Sequence, residues 1–254
     1  MNTILVAAGL NKSFGAVTAA NDIDVTVERD SVVGLIGSNG AGKTTFINMV
    51  TGYLKPTTGS ISFEGRDITA RAPRQITRLG ICRSFQIPQL FNSMSVAENL
   101  LVGVGIMASA GSDWTAAGRQ AGTPRAAVDA ILDQFNLGGY RDRQAGVLPE
   151  GTRKLLDIAL AMVVQPRILL LDEPTSGVSA DEKFELMDMV MKAVRETGVT
   201  VLFVEHDMEI VERYTDRVLA FYEGRIIADG TPATVLDDAE VRRYVIGEHQ
   251  PAGH

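Results

Sequence analysis

A parallel α/β core is the fold this sequence predicts, and three observations predict it. The first is a junction at 31–44. There the apolar, β-prone run Ser31-Val-Val-Gly-Leu-Ile36 meets the loop Gly37-Ser-Asn-Gly-Ala-Gly-Lys-Thr44, and a helical pattern then continues to about Thr51 before Gly52 stops it. The second is Ile168-Leu-Leu-Leu171, wholly apolar, as a parallel strand covered on both faces must be. The third is the path from that run to a second one like it, Val199-Thr-Val-Leu-Phe-Val204. Between them Phe184, Met187, Val190, Met191 and Val194 recur at helical spacing. Strand, helix and strand in that order specify parallel pairing.

The other elements follow along the chain. Short strands over 4–9, 22–28 and 60–64, with turn signals at Phe14-Gly15 and Lys55-Pro-Thr-Thr-Gly59, add an antiparallel β region at the N-terminus. Residues 92–163 are mainly helical and form an inserted subdomain. A helix over 95–108 opens on Ser95 and Glu98, spaced as a capping box. Another, over 124–136, has Thr123 as N-cap and Pro124 at its first position, and stops before Gly138-Gly139. Residues 109–123, rich in Gly, Ala, Ser and Thr, read as a loop or insertion. Ser179 and Glu182 are spaced as a second capping box, and Gly198 can end the helix they begin. The tail carries one short helix around 239–246 and then frays.

A length of 254 residues suits one large α/β domain, or a core with a small appended lobe. A net charge of −7 argues against broad nucleic-acid binding, which needs a basic face. One cysteine, Cys82, excludes an internal disulfide framework and suits a reducing compartment. It sits in an apolar stretch and reads as a small core residue. The N-terminus reads as a first strand rather than a signal peptide. No apolar run is long enough to cross a bilayer, so any membrane connection comes through a partner.

The loop after the 31–36 strand is a phosphate cradle. Its glycines let successive backbone N–H groups of Ser38, Asn39, Gly40, Ala41 and Gly42 turn inward, and Lys43 adds a point charge near the β/γ-phosphates. Thr44 is placed to give its hydroxyl to Mg²⁺ at the positive end of the following helix, with Thr45 beside it. Downstream, Asp172 and Glu173 stand at the carboxyl end of a buried strand, where ligands bind in open parallel sheets. Asp172 suits Mg²⁺ through a water, because that ion keeps much of its hydration. Glu173 suits a base that polarises the water attacking the γ-phosphate.

Five motifs then occur in a telling order: the phosphate loop, Arg83-Ser-Phe-Gln86, Leu148-Pro-Glu-Gly151, Leu171-Asp-Glu-Pro-Thr-Ser-Gly177 and Val204-Glu-His-Asp207. Over about residues 4–235 the chain resembles the ATP-binding cassette of ABC transporters. The resemblance implies a P-loop NTPase fold with a RecA-like parallel core, an antiparallel N-terminal β region and an inserted α-helical signature subdomain. It places one ABC ATPase domain at 1–235, with its core at 1–91 and 164–235 and its helical subdomain at 92–163, followed by a short C-terminal helix and tail at 236–254. ATP and Mg²⁺ are the implied cofactors.

Roles follow for matching positions. Phe14 stands where such cassettes stack an aromatic ring on adenine, which any flat ring can do; a core phenylalanine beside a turn is the other reading. Gln86 matches the glutamine that touches Mg²⁺ and the attacking water, its amide able to donate and accept. The stretch Ile87-Pro-Gln-Leu-Phe91 matches a hinge that senses the transmembrane partner. His206 matches the histidine that contacts the γ-phosphate.

Two stretches depart from the family pattern. The signature loop usually reads L-S-G-G-Q and grips the γ-phosphate bound on the opposite subunit; here Leu148, Pro149, Glu150, Gly151 and Thr152 stand there. Pro149 has neither hydroxyl nor N–H. Glu150 brings negative charge, while Gly151 and the helix over 152–163 still offer an amide and an N-terminal dipole. The loop at the dimer contact, usually S-A-L-D, reads Ser176-Gly177-Val178-Ser179. Ser179 can cap as an aspartate would. The cis residues Lys43, Thr44, Gln86, Asp172, Glu173 and His206 are present, so the expectation is a subunit that positions ATP itself but lends its partner a poorer signature.

Details at Leu10-Asn-Lys-Ser-Phe-Gly15, the insertion at 103–122, Ala228-Asp-Gly-Thr-Pro232 and Val241-Arg-Arg-Tyr-Val-Ile-Gly247 resemble cassettes of branched-chain (hydrophobic) amino acid importers. Urea importers and lipopolysaccharide exporters use similar cassettes, and a soluble, non-transport ABC ATPase is a further reading. The resemblance implies a second cassette (hetero- or homodimer), transmembrane permeases, an indirect substrate-binding protein and a place on the cytoplasmic face of the membrane. Nucleic acid is not an expected partner.

Overall fold

A computed structural model describes residues 2–84, 88–109 and 123–247. In chain order, β1 (Thr3–Phe14), β2 (Val17–Glu28) and β3 (Val32–Gly37) lead into α1 (Lys43–Val50). Then come β4 (Thr58–Phe63), β5 (Arg66–Asp67), α2 (Pro73–Leu79) and β6 (Ile81–Arg83). Helices α3 (Val96–Ser109), α4 (Pro124–Gln134) and α5 (Glu150–Val163) precede β7 (Ile168–Asp172) and α6 (Glu182–Thr197). The last stretch holds β8 (Thr200–Val204), α7 (Met208–Tyr214), β9 (Arg217–Tyr222), β10 (Arg225–Gly230) and α8 (Pro232–Asp237). A single turn, α9 (Ala239–Val241), runs on as a π-helix over Arg242–Ile246. These elements form two compact units, one of residues 1–77 and 200–254 and the other of 78–199.

In the first unit β1 pairs antiparallel with β2 and with β4, bringing Leu5 opposite Val27 on one side and Phe63 on the other. Leu5, Ala7, Ile23, Val25, Val27, Ile61 and Phe63 are buried, and the residues between them turn outward with the period of two that a half-covered sheet needs. The strands run further than their apolar runs because bulges, one next to Gly9 at φ 56°, let polar residues stay in the ladder. β3 lies parallel to both β8 and β9, and β10 returns antiparallel to β9. Every residue of β3 and β8 is buried. Helix α1 seals this set with Phe46, whose ring lies 5.8 Å from that of Phe221. Full burial of one such ring contributes about 2–3 kcal/mol.

In the second unit β6 and β7 pair in parallel, with Cys82 opposite Leu169. The capping box at α3 closes as its spacing demands. Ser95 N–H donates to Glu98 Oε2 at 2.7 Å and Glu98 N–H to Ser95 Oγ at 3.2 Å. Buried Asn99 then ties the preceding loop down, accepting from Phe91 N–H at 2.9 Å and donating to the carbonyls of Phe91 and Ser95. Thr123 Oγ1 caps α4 by accepting from Ala126 N–H.

The second expected box does not close. Ser179 Oγ bonds the Glu182 carboxylate at 2.9 Å, while the amides of Glu182 and Lys183 turn to the Ser179 carbonyl. Asp181 is already in the αR region, so a backbone turn absorbs the donors that the hydroxyl would have taken. Gly198 ends α6 in the left-handed conformation (φ 63°), as a C-terminal glycine does. Helix α5 starts two residues earlier than the sequence reading, at Glu150. Residues 110–122 of the expected insertion and residues 248–254 of the tail lie outside the described residues.

Cys82 is buried, and burial pushes its thiol up to about 12 from 9.0. The folded chain therefore keeps a proton that the unfolded chain releases as pH rises past 9.0, so this group's stabilisation fades above that pH. Iodoacetamide at pH 8 is expected to leave Cys82 unmodified in the native protein and to alkylate it fully in denaturant; rapid native labelling counts against its burial.

Candidate nucleotide site

The phosphate loop begins where β3 ends. Gly40 and Gly42 take φ of 82° and 107°, a region that side chains resist, and so bring consecutive N–H groups to one side. Packing makes the demand stricter. A Cβ on Gly37 would stand 2.6 Å from the Phe221 carbonyl oxygen, and one on Gly42 2.8 Å from that of Ala19. The turn between β9 and β10 supports the loop from behind, with Gly224 N–H donating to the Ala41 carbonyl at 2.9 Å. Ser38, Asn39, Gly40 and Thr44 are exposed, Thr45 is half-buried, and Ala41, Gly42 and Lys43 are buried. Lys43 Nζ folds onto the loop, donating to the carbonyls of Gly37 at 2.6 Å and Ser38 at 3.1 Å. Its ammonium is thus held at the mouth of an open cradle of amides, at the positive end of α1.

Phe14, at the end of β1, is 53% exposed with Lys12 Nζ 5.2 Å from its ring centroid. It is not a core residue, and the Lys12 ammonium lies over its ring. His206, just after β8, is exposed, and its backbone N–H donates to Glu205 Oε2 at 2.9 Å. Glu205 is itself 3% exposed, so a buried carboxylate sets the turn that carries the imidazole. Asp207 then caps α7.

In the second unit Asp172 ends β7, and its Oδ2 accepts from Arg83 Nη2 at 2.5 Å. Glu173 follows at φ 50°, a left-handed conformation that costs a non-glycine residue about 1–3 kcal/mol. Lys154, buried on α5, donates to the Glu173 carbonyl at 2.7 Å and so restrains that turn. Next to Lys154 on the same helix, buried Asp157 accepts from Gln89 N–H at 3.0 Å. Sequence reasoning assigned no role to Arg83, Lys154, Asp157 or Glu205. The available signal was two charges, Lys154 and Asp157, inside the apolar stripe formed by Leu155, Ile158, Ala159 and Met162. Gln86 and Ile87 lie outside the described residues, and Pro88 to Phe91 follow them with Phe91 53% exposed.

Leu148 is buried, Pro149 is the N-cap of α5, and Glu150, Gly151 and Thr152 form its first turn. Arg153 N–H closes on the Pro149 carbonyl, which leaves the amides of Glu150, Gly151 and Thr152 as the helix's open donors. Where the family's signature has a serine hydroxyl this turn has none, and three helix-end amides remain. The 176–179 loop lies against this turn. A Cβ on Gly177 would be 3.6 Å from Glu150 Cγ, and one on Gly151 3.6 Å from Val178. Among the described residues no group of three or more His, Cys, Asp or Glu could hold a metal ion. No helix among them is long and apolar enough to cross a membrane.

A strand-fed cradle of amides with a buried lysine, and two acids at the end of a parallel strand, define a nucleotide-binding α/β protein. The comparisons make the class specific. The ABC transporter family model matches residues 20–176, and the chain belongs to that family. It is 38% identical over 252 residues to the high-affinity branched-chain amino acid transport ATP-binding protein BraF of Pseudomonas aeruginosa, spanning 96% of this chain and 98% of that one. The probable branched-chain amino acid transport ATP-binding protein LivG of Archaeoglobus fulgidus is 36% identical over 249 residues, covering 96% and 95%. Among solved structures, the ADP conformation of MJ1267, an ATP-binding cassette of an ABC transporter, superposes with a TM-score of 0.82 at 33% identity, covering 98% of this chain and all of that one. The cbiO1 cassette from Clostridium perfringens gives 0.81 at 31% identity, covering 96% and 94%. The fold is therefore that of a P-loop ATPase cassette, and the chain is an ATPase subunit.

Lys154 offers a test of how the acid is held. Lys154→Met is expected to cut ATP turnover about 10²-fold while ATP affinity stays near wild type, because it loosens Glu173 without touching the phosphate loop. Steady-state kinetics with a parallel nucleotide titration check this. Unchanged turnover would show that the Glu173 backbone needs no restraint.

Proposed function

We propose that this chain is the ATP-binding and hydrolysing subunit of an importer for branched-chain or other hydrophobic amino acids, peripheral to the membrane through permease subunits. The observation that carries the proposal is the near end-to-end similarity to BraF and LivG, whose names give that transport role. Within the proposal, Phe14 stacks on adenine and Ser38, Asn39, Gly40, Ala41, Gly42, Lys43, Thr44 and Thr45 cradle the phosphates. Glu173 polarises the attacking water, with Gln86 and His206 positioning it against the γ-phosphate.

The donor chemistry fits Mg²⁺, which takes one or two protein oxygens and fills the rest of its shell with water and phosphate. The exposed Thr44 hydroxyl is one such oxygen, and Asp172 another through water, with Gln86 as a further ligand. When bound, Mg²⁺ would neutralise charge developing on the phosphates. The chain's own residues do the rest. Lys43, already pinned to its loop, meets the β/γ-phosphates with no side-chain search. The Lys154-restrained turn fixes where the Glu173 carboxylate starts from.

We further infer an unequal pair of cassettes. Pro149 removes the hydroxyl of the family's signature, and Glu150 sets a carboxylate at the helix end that would face a partner's γ-phosphate. A homodimer would then carry two weakened trans halves, whereas a partner with an intact signature would serve this chain's own loop. Closure of the pair on ATP would pull on the permeases, and hydrolysis would release it.

The test joins biochemistry and uptake. The chain, co-expressed with candidate permeases and a second cassette, is expected to co-purify with them and to reach full ATPase rate only in the mixed complex. Glu173→Gln should bind ATP normally and lose turnover by 10²-fold or more, on the order of what a general base contributes. A strain lacking this chain should lose labelled-leucine uptake. Intact leucine uptake with loss of another solute would overturn the substrate class, and a full-rate homodimer would overturn the unequal pair.

A further inference from the structure

We propose that Arg83 is a built-in counter-cation for Asp172. It holds the carboxylate in place and keeps it from capturing a divalent ion before the nucleotide arrives. The proposal rests on the reading of Asp172 as the Mg²⁺-side acid.

Arg83 and Asp172 are the last residues of two neighbouring parallel strands, β6 and β7, with Arg83 in register with Leu170. The ladder extends one step further through Ser84 N–H to the Leu170 carbonyl at 2.9 Å. The strands therefore deliver the two side chains to the same end of the pair by backbone geometry alone. Both are largely buried, the side chains 10% and 11% exposed, and Nη2 meets Oδ2 at 2.5 Å. A carboxylate so far from solvent needs a partner charge, and a planar guanidinium supplies it in a fixed orientation. One oxygen is thereby committed. Oδ1 accepts no hydrogen bond from any described residue and is left as the oxygen that can receive a metal-bound water.

The electrostatic consequence is specific. An unpaired buried carboxylate attracts any free divalent cation, and a cation parked there would meet the triphosphate in the wrong hydration state. With Arg83 beside it, Asp172 presents a pair of zero net charge. A bare M²⁺ gains little from such a pair, whereas a metal that arrives on a nucleotide brings the neutralising phosphates with it. Arg83 is thus a positioning residue that acts through Asp172. In sequence it stands three residues before Gln86.

The experiment uses Mn²⁺ as the probe. Free Mn²⁺ is measured by electron paramagnetic resonance in titrations of the full chain without nucleotide. Wild type and R83K, which keeps the charge, are expected to bind Mn²⁺ weakly and alike. R83Q should bind it about tenfold more tightly or better, as loss of a unit charge within several ångströms implies. R83M, equally neutral, gives the same reading if R83Q does not fold, as judged by thermal melting. The gain must vanish in R83Q/D172N. Unchanged or weaker Mn²⁺ binding in the folded neutral variant, a gain shared by R83K, or a gain that survives D172N overturns the proposal. In a separate arm wild type is titrated with ATP and Mg²⁺. Absence of binding there overturns the nucleotide reading itself, whereas the Mn²⁺ arms bear on Arg83.

Discussion

Two backbone carbonyls stand where side chains would otherwise be, and the phosphate loop takes its shape from them. Phe221 O crowds Gly37 and Ala19 O crowds Gly42, so both ends of the loop are held where only glycine fits. The pressure comes from elements distant in sequence: β2 supplies Ala19, and the β9–β10 hairpin supplies Phe221 and the Gly224 amide that holds Ala41. A cradle for phosphate must keep its amides aimed without help from the ligand, because each degree of freedom frozen on binding subtracts from affinity. Here the freezing is done during folding. Lys43 shares the economy, its ammonium already fastened to the carbonyls of Gly37 and Ser38.

The second unit solves a related problem with charge. Arg83, Lys154, Asp157 and Asp172 are all largely removed from water, and the bonds described above join them to an opposite charge or to a backbone group on a loop that needs fixing. Lys154 holds the carbonyl of a residue in left-handed backbone, and Asp157 holds the amide of Gln89 in the segment expected to act as a hinge. Such interactions contribute little net stability, because desolvation offsets most of the attraction. Their value is geometric: they fix where the strand-end acids and the Gln89 segment sit.

Legibility in the sequence followed the range of the interactions. The phosphate loop, the two apolar strands, the Ser95 box and the Gly198 stop could be read because each depends on neighbours within one or two turns of chain. The Ser179 box failed for a local reason as well, since Asp181 had already taken helical geometry and the backbone carbonyl outcompeted the hydroxyl. Arg83 and Asp172 are 89 residues apart, and no spacing rule pairs them. Only the parallel register of β6 on β7 brings them together. A phenylalanine beside a turn fits a core or a ligand face equally well, and only the exposure of Phe14 in the folded chain rules out the core.

The signature turn shows how a motif can change while its physics partly survives. A helix N-terminus offers donors by virtue of being a helix end, whatever residues occupy it. Replacing serine by Pro149 removes one hydroxyl, yet proline just ahead of the first turn also stiffens the entry and leaves the next three amides pointing outward. Glu150 is the sharper change. Its carboxylate stabilises the helix end in the isolated chain, and its Cγ already lies near Gly177. A phosphate presented there by a partner would meet a carboxylate of like charge at the same helix end. The carboxylate and a partner's phosphate are thus anions that the same helix end would favour. In the proposed pair of cassettes, that charge, more than the missing hydroxyl, is what would set this half apart.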